Sequence, residues 1–156
     1  MKKKTLSQAL FNSIGKRIQS FRRLAEIKVD KKDKSFRIEK YCAIGAIGCE
    51  NNFLKLIDKP DDLWGAKYAL TGNDEKSILR NAGISAKTMG QDFRSHLSTE
   101  AIQAIAKKTP YTLKNILPLQ SLIMALNDNC KWTFEKIGME MQLLEENGFI
   151  TYKSKK

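Results

Sequence analysis

Apolar side chains recur at steps of three or four from the start of the chain: Leu6, Leu10, Ile14, Ile18, Phe21 and Ala25. On a 3.6-residue period they form one stripe, which predicts a helix over about 5–27, capped by Thr5 or Ser7. Its other face carries Asn12, Lys16, Gln19 and Arg23, and Arg17 and Arg22 border the stripe, where their stems can lie along apolar surface. Docking of the stripe on the rest of the chain accounts for the pattern. The period then changes. Ile27 and Val29 alternate, a charged stretch covers 30–34, and Phe36 and Ile38 alternate again, which reads as a short β-hairpin near 27–38 or a charged loop with apolar anchors.

Residues 41–49, Tyr-Cys-Ala-Ile-Gly-Ala-Ile-Gly-Cys, carry no charge and mostly small side chains. They predict a buried central helix over about 39–51, thin enough for neighbouring backbones to come close at Gly45 and Ala46. An apolar run at 53–57 is broken at Pro60, and Leu63, Trp64, Tyr68 and Leu70 supply a short helix closed at 71–73. A helix follows over 74–81, with Asp74 and Glu75 in its first turn. Residues 82–85 are a turn, and Ser85 caps a helix to about 97. Residues 98–100 open another helix through Ala101, Ile102 and Ile105, ended before Pro110. Thr112 opens a segment that Pro118 divides; Leu119, Leu122, Ile123 and Leu126 then form a stripe stopped at 127–129. Thr133 caps a last helix that buries Phe134, Ile137, Met141, Leu143 and Leu144, with Gly148 as its C′ residue. The fold class expected is all-α: one domain over 1–156, about six to eight helices and at most one hairpin, with a basic N-terminal helix and arm over 1–40.

Charge changes the picture from fold to partner. Residues 1–40 hold 13 Lys/Arg against 4 Asp/Glu, while the rest holds 15 against 13, so nearly all of the net +11 is N-terminal. Such asymmetry points to an anionic partner: nucleic acid, a nucleoprotein or a membrane surface. Cys42, Cys49 and Cys130 are an odd number, with no secretory pattern before them, which places the protein in a reducing cytoplasm. No run approaches the ~18 apolar residues of a membrane span.

Site chemistry is sparse. Cys42 and Cys49 lie two helical turns apart, roughly 10 Å along the axis, which suits neither a disulfide nor a structural zinc site. Cys42 or Cys130 with the single histidine, His96, offers no base-and-orienter pattern, and no phosphate loop follows a strand. The chain reads as non-enzymatic, without metal or cofactor. Residues 77–89 resemble the turn of DNA-binding helix-turn-helix motifs: Gly83 at the left-handed position, Ile84 in the angle, Ser85 as cap, Met89 inward. DNA reading there would fall to Ser85, Lys87, Thr88, Gln91 and Arg94. The pattern departs at Asp92, where an apolar side chain belongs, and the local charge is nearly balanced.

The Cys42-Ala-Ile-Gly45-Ala46 stretch, followed far downstream by Asn127-Asp128 and a helix led by Thr133, resembles an uncharacterised family of small bacterial and phage proteins. The resemblance covers about a quarter of the chain and implies only architecture and a phage or mobile-element source, since the family has no established activity. The physical roles of these residues are structural: Cys42, Gly45 and Ala46 in close packing, Asn127 and Asp128 in a loop packed near the Cys42 helix, Thr133 as a cap. The leading functional expectation is a basic helical protein that engages nucleic acid or a nucleic-acid-associated protein. Lys16, Arg17, Arg22, Arg23, Lys31, Lys32, Lys34 and Arg37 would make phosphate contacts without base readout. The alternatives are sequence-specific DNA binding by 74–97, and a phage-type inhibitor or assembly factor that binds an acidic protein.

Overall fold

The structure, a computed structural model, describes residues 3–29, 32, 36–54 and 75–153. The expected apolar run at 53–57 beyond Leu54, the break at Pro60, the short helix near Trp64, and the side chains of Lys31 and Lys34 lie outside the described residues.

Helix α1 spans Leu6–Ser13, with Thr5 capping it reciprocally: the Thr5 hydroxyl takes the Gln8 N–H and the Gln8 side chain takes the Thr5 N–H. It then stops. Gly15 takes a left-handed φ of 71°, and among the described residues no helix resumes before residue 43. Instead come β1 (Ile18–Gln19), β2 (Ala25–Val29) and β3 (Phe36–Tyr41). They form a mixed sheet in the order β1-β3-β2, β1 parallel to β3 and β2 antiparallel to it, with Ile27 opposite Ile38 and Lys28 opposite Arg37. This corrects the all-α expectation: the fold is an α/β mixture. The apolar stripe holds for Leu6 and Leu10, which are buried, and fails beyond Ser13, where Ile14 and Ile18 are 45% and 59% exposed. A 3.6-residue spacing says which side chains would share a face if a helix formed; it does not supply the tertiary contacts that make one form.

Helix α2 (Ala43–Glu50) starts later than expected, because 39–41 belong to β3. Cys42 is its N-cap, its Sγ accepting the Gly45 N–H at 3.4 Å. Ala43, Ile44, Ala46 and Ile47 are buried at the centre of the core, against α1, β3, α3 (Glu75–Asn81) and α6 (Leu119–Met124). The close approach at Gly45 is to a backbone rather than to a helix: a Cβ there would lie 2.2 Å from the Leu24 carbonyl oxygen. Gly48 does face a helix, against Ile78 of α3.

Helix α4 (Ala86–Met89) is one turn, not the helix to residue 97 that the pattern suggested. Helix α5 (Thr99–Lys108) is capped by Ser98, which is itself held by the buried Glu140: the Ser98 N–H donates to Oε2 at 3.0 Å and the hydroxyl to Oε1 at 2.5 Å. A 3₁₀ turn (Pro110–Lys114) leads to α6, and Ala125–Asn129 continues it as a π-helical turn. Helix α7 (Phe134–Glu146), capped by Thr133, packs along α1 and buries Phe134, Ile137, Met141 and Leu144; Leu143, expected inside, is 40% exposed. Gly148 takes the left-handed C′ position, and the Phe149 and Ile150 N–H groups return to the Leu144 carbonyl. Among the described residues, no helix is long and apolar enough to cross a membrane.

Candidate functional site

The basic residues of 16–23 do not sit on a helix. They sit on a strap, residues 14–23, laid over the surface between α1 and β2. Its anchor is Asn127, 1% exposed in the π-helical turn. The extra residue of such a turn widens the helix and re-aims side chains, and here the Asn127 amide bonds in four directions. Its Oδ1 accepts the Ala43 N–H at 3.0 Å and the Gln19 Nε2 at 2.8 Å; its Nδ2 donates to the Ser20 carbonyl at 3.0 Å and to Asp128 Oδ1 at 2.7 Å. Ala43 is the first helical residue of α2, so Asn127 satisfies one of its orphan N–H groups across the fold. Asp128 Oδ1 also accepts the Arg22 N–H at 2.8 Å, which holds Arg22 at a left-handed φ of 69°. Gln19 adds a second bond, to the Trp132 carbonyl at 2.7 Å. Just beyond the turn, Lys131 takes a left-handed φ of 54°.

Held this way, the strap turns apolar and cationic side chains outward together. Ile18 is exposed, Phe21 is 38% exposed with the Lys131 ammonium 4.5 Å from its ring centroid, and Arg22 and Arg23 are exposed beside it. Arg37 is exposed on β3 opposite Lys28, which itself pairs with Glu39 at 3.6 Å; Lys32 is exposed in the turn between β2 and β3.

Lys16 and Arg17 are engaged differently from what their sequence position suggested. Both reach Glu50 at the end of α2, whose side chain is 1% exposed: Lys16 Nζ lies 3.3 Å from Oε2, the Arg17 guanidinium donates to Oε2, and Lys4 Nζ lies 2.6 Å from Oε1. Arg17 also donates to Cys49 Sγ at 3.3 Å and lies over the Tyr41 ring at 5.4 Å from its centroid. Sequence reasoning missed this node. Its signal was a single acid closing an otherwise uncharged run, a position that requires cations from elsewhere in the fold. Burial alone would raise the Glu50 carboxyl, but hydrogen bonds and charge from Lys4, Arg17 and Lys16 hold it down at about 2. A carboxyl held below its ordinary 4.5 contributes stability that is present above that pH and lost as pH falls toward 2. Urea unfolding is therefore expected to weaken across this acid window by on the order of 3 kcal/mol from this group. The Glu50→Gln protein should lack that part of the slope, and an unchanged slope would remove Glu50 from the account.

The helix-turn-helix residues are largely occupied. Thr88 is buried, its hydroxyl on Thr151; Ser85 caps one turn and bonds Thr151 at 2.6 Å; Arg94 is paired with Asp92, which accepts the Leu117 N–H at 3.0 Å. That bond explains why an acid replaces the expected apolar residue. Lys87 is exposed and Gln91 half-buried, but the four-residue α4 offers no length to enter a groove. The thiols are free, and burial pushes Cys42 up to about 11. His96 stacks on Phe149, ring centroids 3.8 Å apart. Among the described residues, no group of three or more His, Cys, Asp or Glu side chains is placed to hold a metal ion. No family model, curated protein or solved structure matches the chain.

Proposed function

We propose that this is a non-enzymatic, cytoplasmic nucleic-acid-binding protein that grips a single strand along the strap and the adjoining hairpin. The observation that carries the reading is the pairing on one short, anchored segment of an exposed aromatic ring, Phe21, with exposed cations, Arg22 and Arg23. A base stacks on such a ring whatever its identity, and guanidinium groups take the flanking phosphates, so affinity arises without sequence readout. The N-terminal location of the excess charge supports the same reading, with Arg37 and Lys32 extending the phosphate track beyond the strap. Arg22 is also pre-positioned by Asp128, which lowers the ordering cost of binding. Because the Phe21 ring stacks only on an unpaired base, duplex should bind more weakly than a single strand.

Fluorescence anisotropy at low salt with single-stranded DNA, single-stranded RNA and duplex tests it. Arg22→Glu with Arg23→Glu is expected to weaken single-strand binding at least about tenfold and to flatten its salt dependence. Phe21→Ala should cost roughly 1–3 kcal/mol of affinity. No binding to any of the three at low salt, or binding indifferent to the strap charges, overturns the reading. Retention of an acidic protein from nuclease-treated lysate in that case would transfer the strap to a protein partner.

A further inference from the structure

A second basic feature lies apart from the Phe21 end of the strap. Lys3, Lys4, Lys16 and Arg17 line one cavity of about 340 Å³ with Cys49 and Glu50, near the lower end of the size range of small-ligand pockets. The charge of this cavity is incomplete. Three cations converge on the single Glu50 carboxylate, and Lys3, whose ammonium is held by Asn81, adds a fourth. One anion is therefore set against four cations in a partly enclosed concavity, where low-dielectric walls concentrate the field. A fold that needed only to neutralise Glu50 would need one or two of them. Arg17, 13% exposed and already donating to Glu50 and Cys49, contributes fixed positive charge at the cavity wall; Lys16, 60% exposed, can swing from its 3.3 Å contact to a new anion.

We propose that this cavity binds a phosphomonoester dianion, which completes the charge that Glu50 leaves unmatched. The ligand is a terminal phosphate, carried either by the end of a nucleic-acid strand or by a small phosphorylated molecule. Glu50 then has a second role: by occupying part of the cationic field it keeps the pocket from holding its ligand too tightly, and it selects against ligands that bring a second negative group deep into the cavity. The proposal does not depend on the strap's reading, since inorganic phosphate alone should occupy the pocket.

The test is thermal unfolding in inorganic phosphate against chloride at equal ionic strength. The midpoint should rise saturably with phosphate. Lys3→Gln with Lys16→Gln, both changes at exposed ends, should weaken the phosphate dissociation constant about tenfold without altering the fold. Glu50→Gln carries the opposite sign: the protein should be less stable in chloride, and phosphate should bind about five- to tenfold tighter and restore it. A role of the lysines confined to supporting Glu50 predicts no phosphate rescue. The source of the phosphate is separated by comparing one oligonucleotide with a 5′-phosphate and with a 5′-hydroxyl. Preference for the phosphate end that vanishes in the double lysine variant assigns a strand terminus; equal affinity with phosphate binding intact assigns a small phosphomonoester. A midpoint indifferent to phosphate in both wild type and Glu50→Gln overturns the proposal, whatever the strap binds.

Discussion

Asn127→Ala is expected to lower the free energy of unfolding by about 3 kcal/mol or more, measured by urea titration at neutral pH. The size follows from what the amide holds. Four hydrogen bonds are lost at a site that is 1% exposed; the Ala43 N–H and the Ser20 carbonyl lose this partner, and the Gln19 amide keeps its bond to the Trp132 carbonyl. A buried group stripped of its bond costs roughly 1–3 kcal/mol, more than the bond contributes when intact. The loss should also have a direction in space. With Gln19 and Ser20 released from Asn127, the strap loosens, so trypsin should cut after Arg22 and Arg23 faster than in the wild type, under conditions where the rest of the fold persists. Asn127→Asp should not rescue either effect, because it keeps the acceptor but loses the donor to Ser20 and places a second carboxylate beside Asp128. A loss below about 1 kcal/mol, with unchanged proteolysis, would show that the strap is held by other contacts.

Gly45→Ala is expected to be at least as damaging, at roughly 3 kcal/mol or more, with failure to accumulate as folded protein as the extreme outcome. The added methyl would stand 2.2 Å from the Leu24 carbonyl oxygen and 3.3 Å from its carbon. That carbonyl cannot turn away without cost, since it accepts the Cys42 N–H at 3.1 Å at the start of α2. The clash is thus between two backbones at the junction of strap, sheet and central helix, and relief requires α2 and the start of β2 to move apart. Gly138→Ala makes a useful comparison. There the methyl would meet the Phe11 ring edge at 2.8 Å, the end of a side chain that can rotate, so a milder loss is expected. If Gly45→Ala were tolerated as well as Gly138→Ala, the close approach at Leu24 would not be what requires a small residue in this helix.

Both predictions concern residues that stood out in the sequence for other reasons. Gly45 was legible as a site of close packing, because small residues in a buried run leave a thin surface; that the neighbour is the Leu24 backbone was not legible, because nothing local to either residue encodes their meeting. Asn127 was legible as a structural polar group near the Cys42 helix, and it does bond Ala43, though from a π-helical turn and not from the loop expected. Its reach to Gln19 and Ser20 was hidden, because the stripe from Leu6 to Ala25 obeys a helical period throughout and so concealed the stop at Ser13.

By itself the sequence determined what depends on neighbours three or four positions away. That covers the caps at Ser85 and Thr133, Thr5 as one of two caps open for α1, the helix start near Ser98, the turn at Gly148, and the buried stripes of α1, α6 and α7, apart from Leu143. These follow from hydrogen-bonding groups and side-chain periods that a short stretch carries with it. The tertiary structure alone decided that 14–29 is strap and sheet, that Arg17 serves a buried carboxylate, and that Phe21 faces outward with Arg22 and Arg23. The physical reason is the same in each case. A marginal helix gives way when distant partners satisfy its backbone better, and here those partners, Asn127, Asp128 and Glu50, lie about thirty to a hundred residues away.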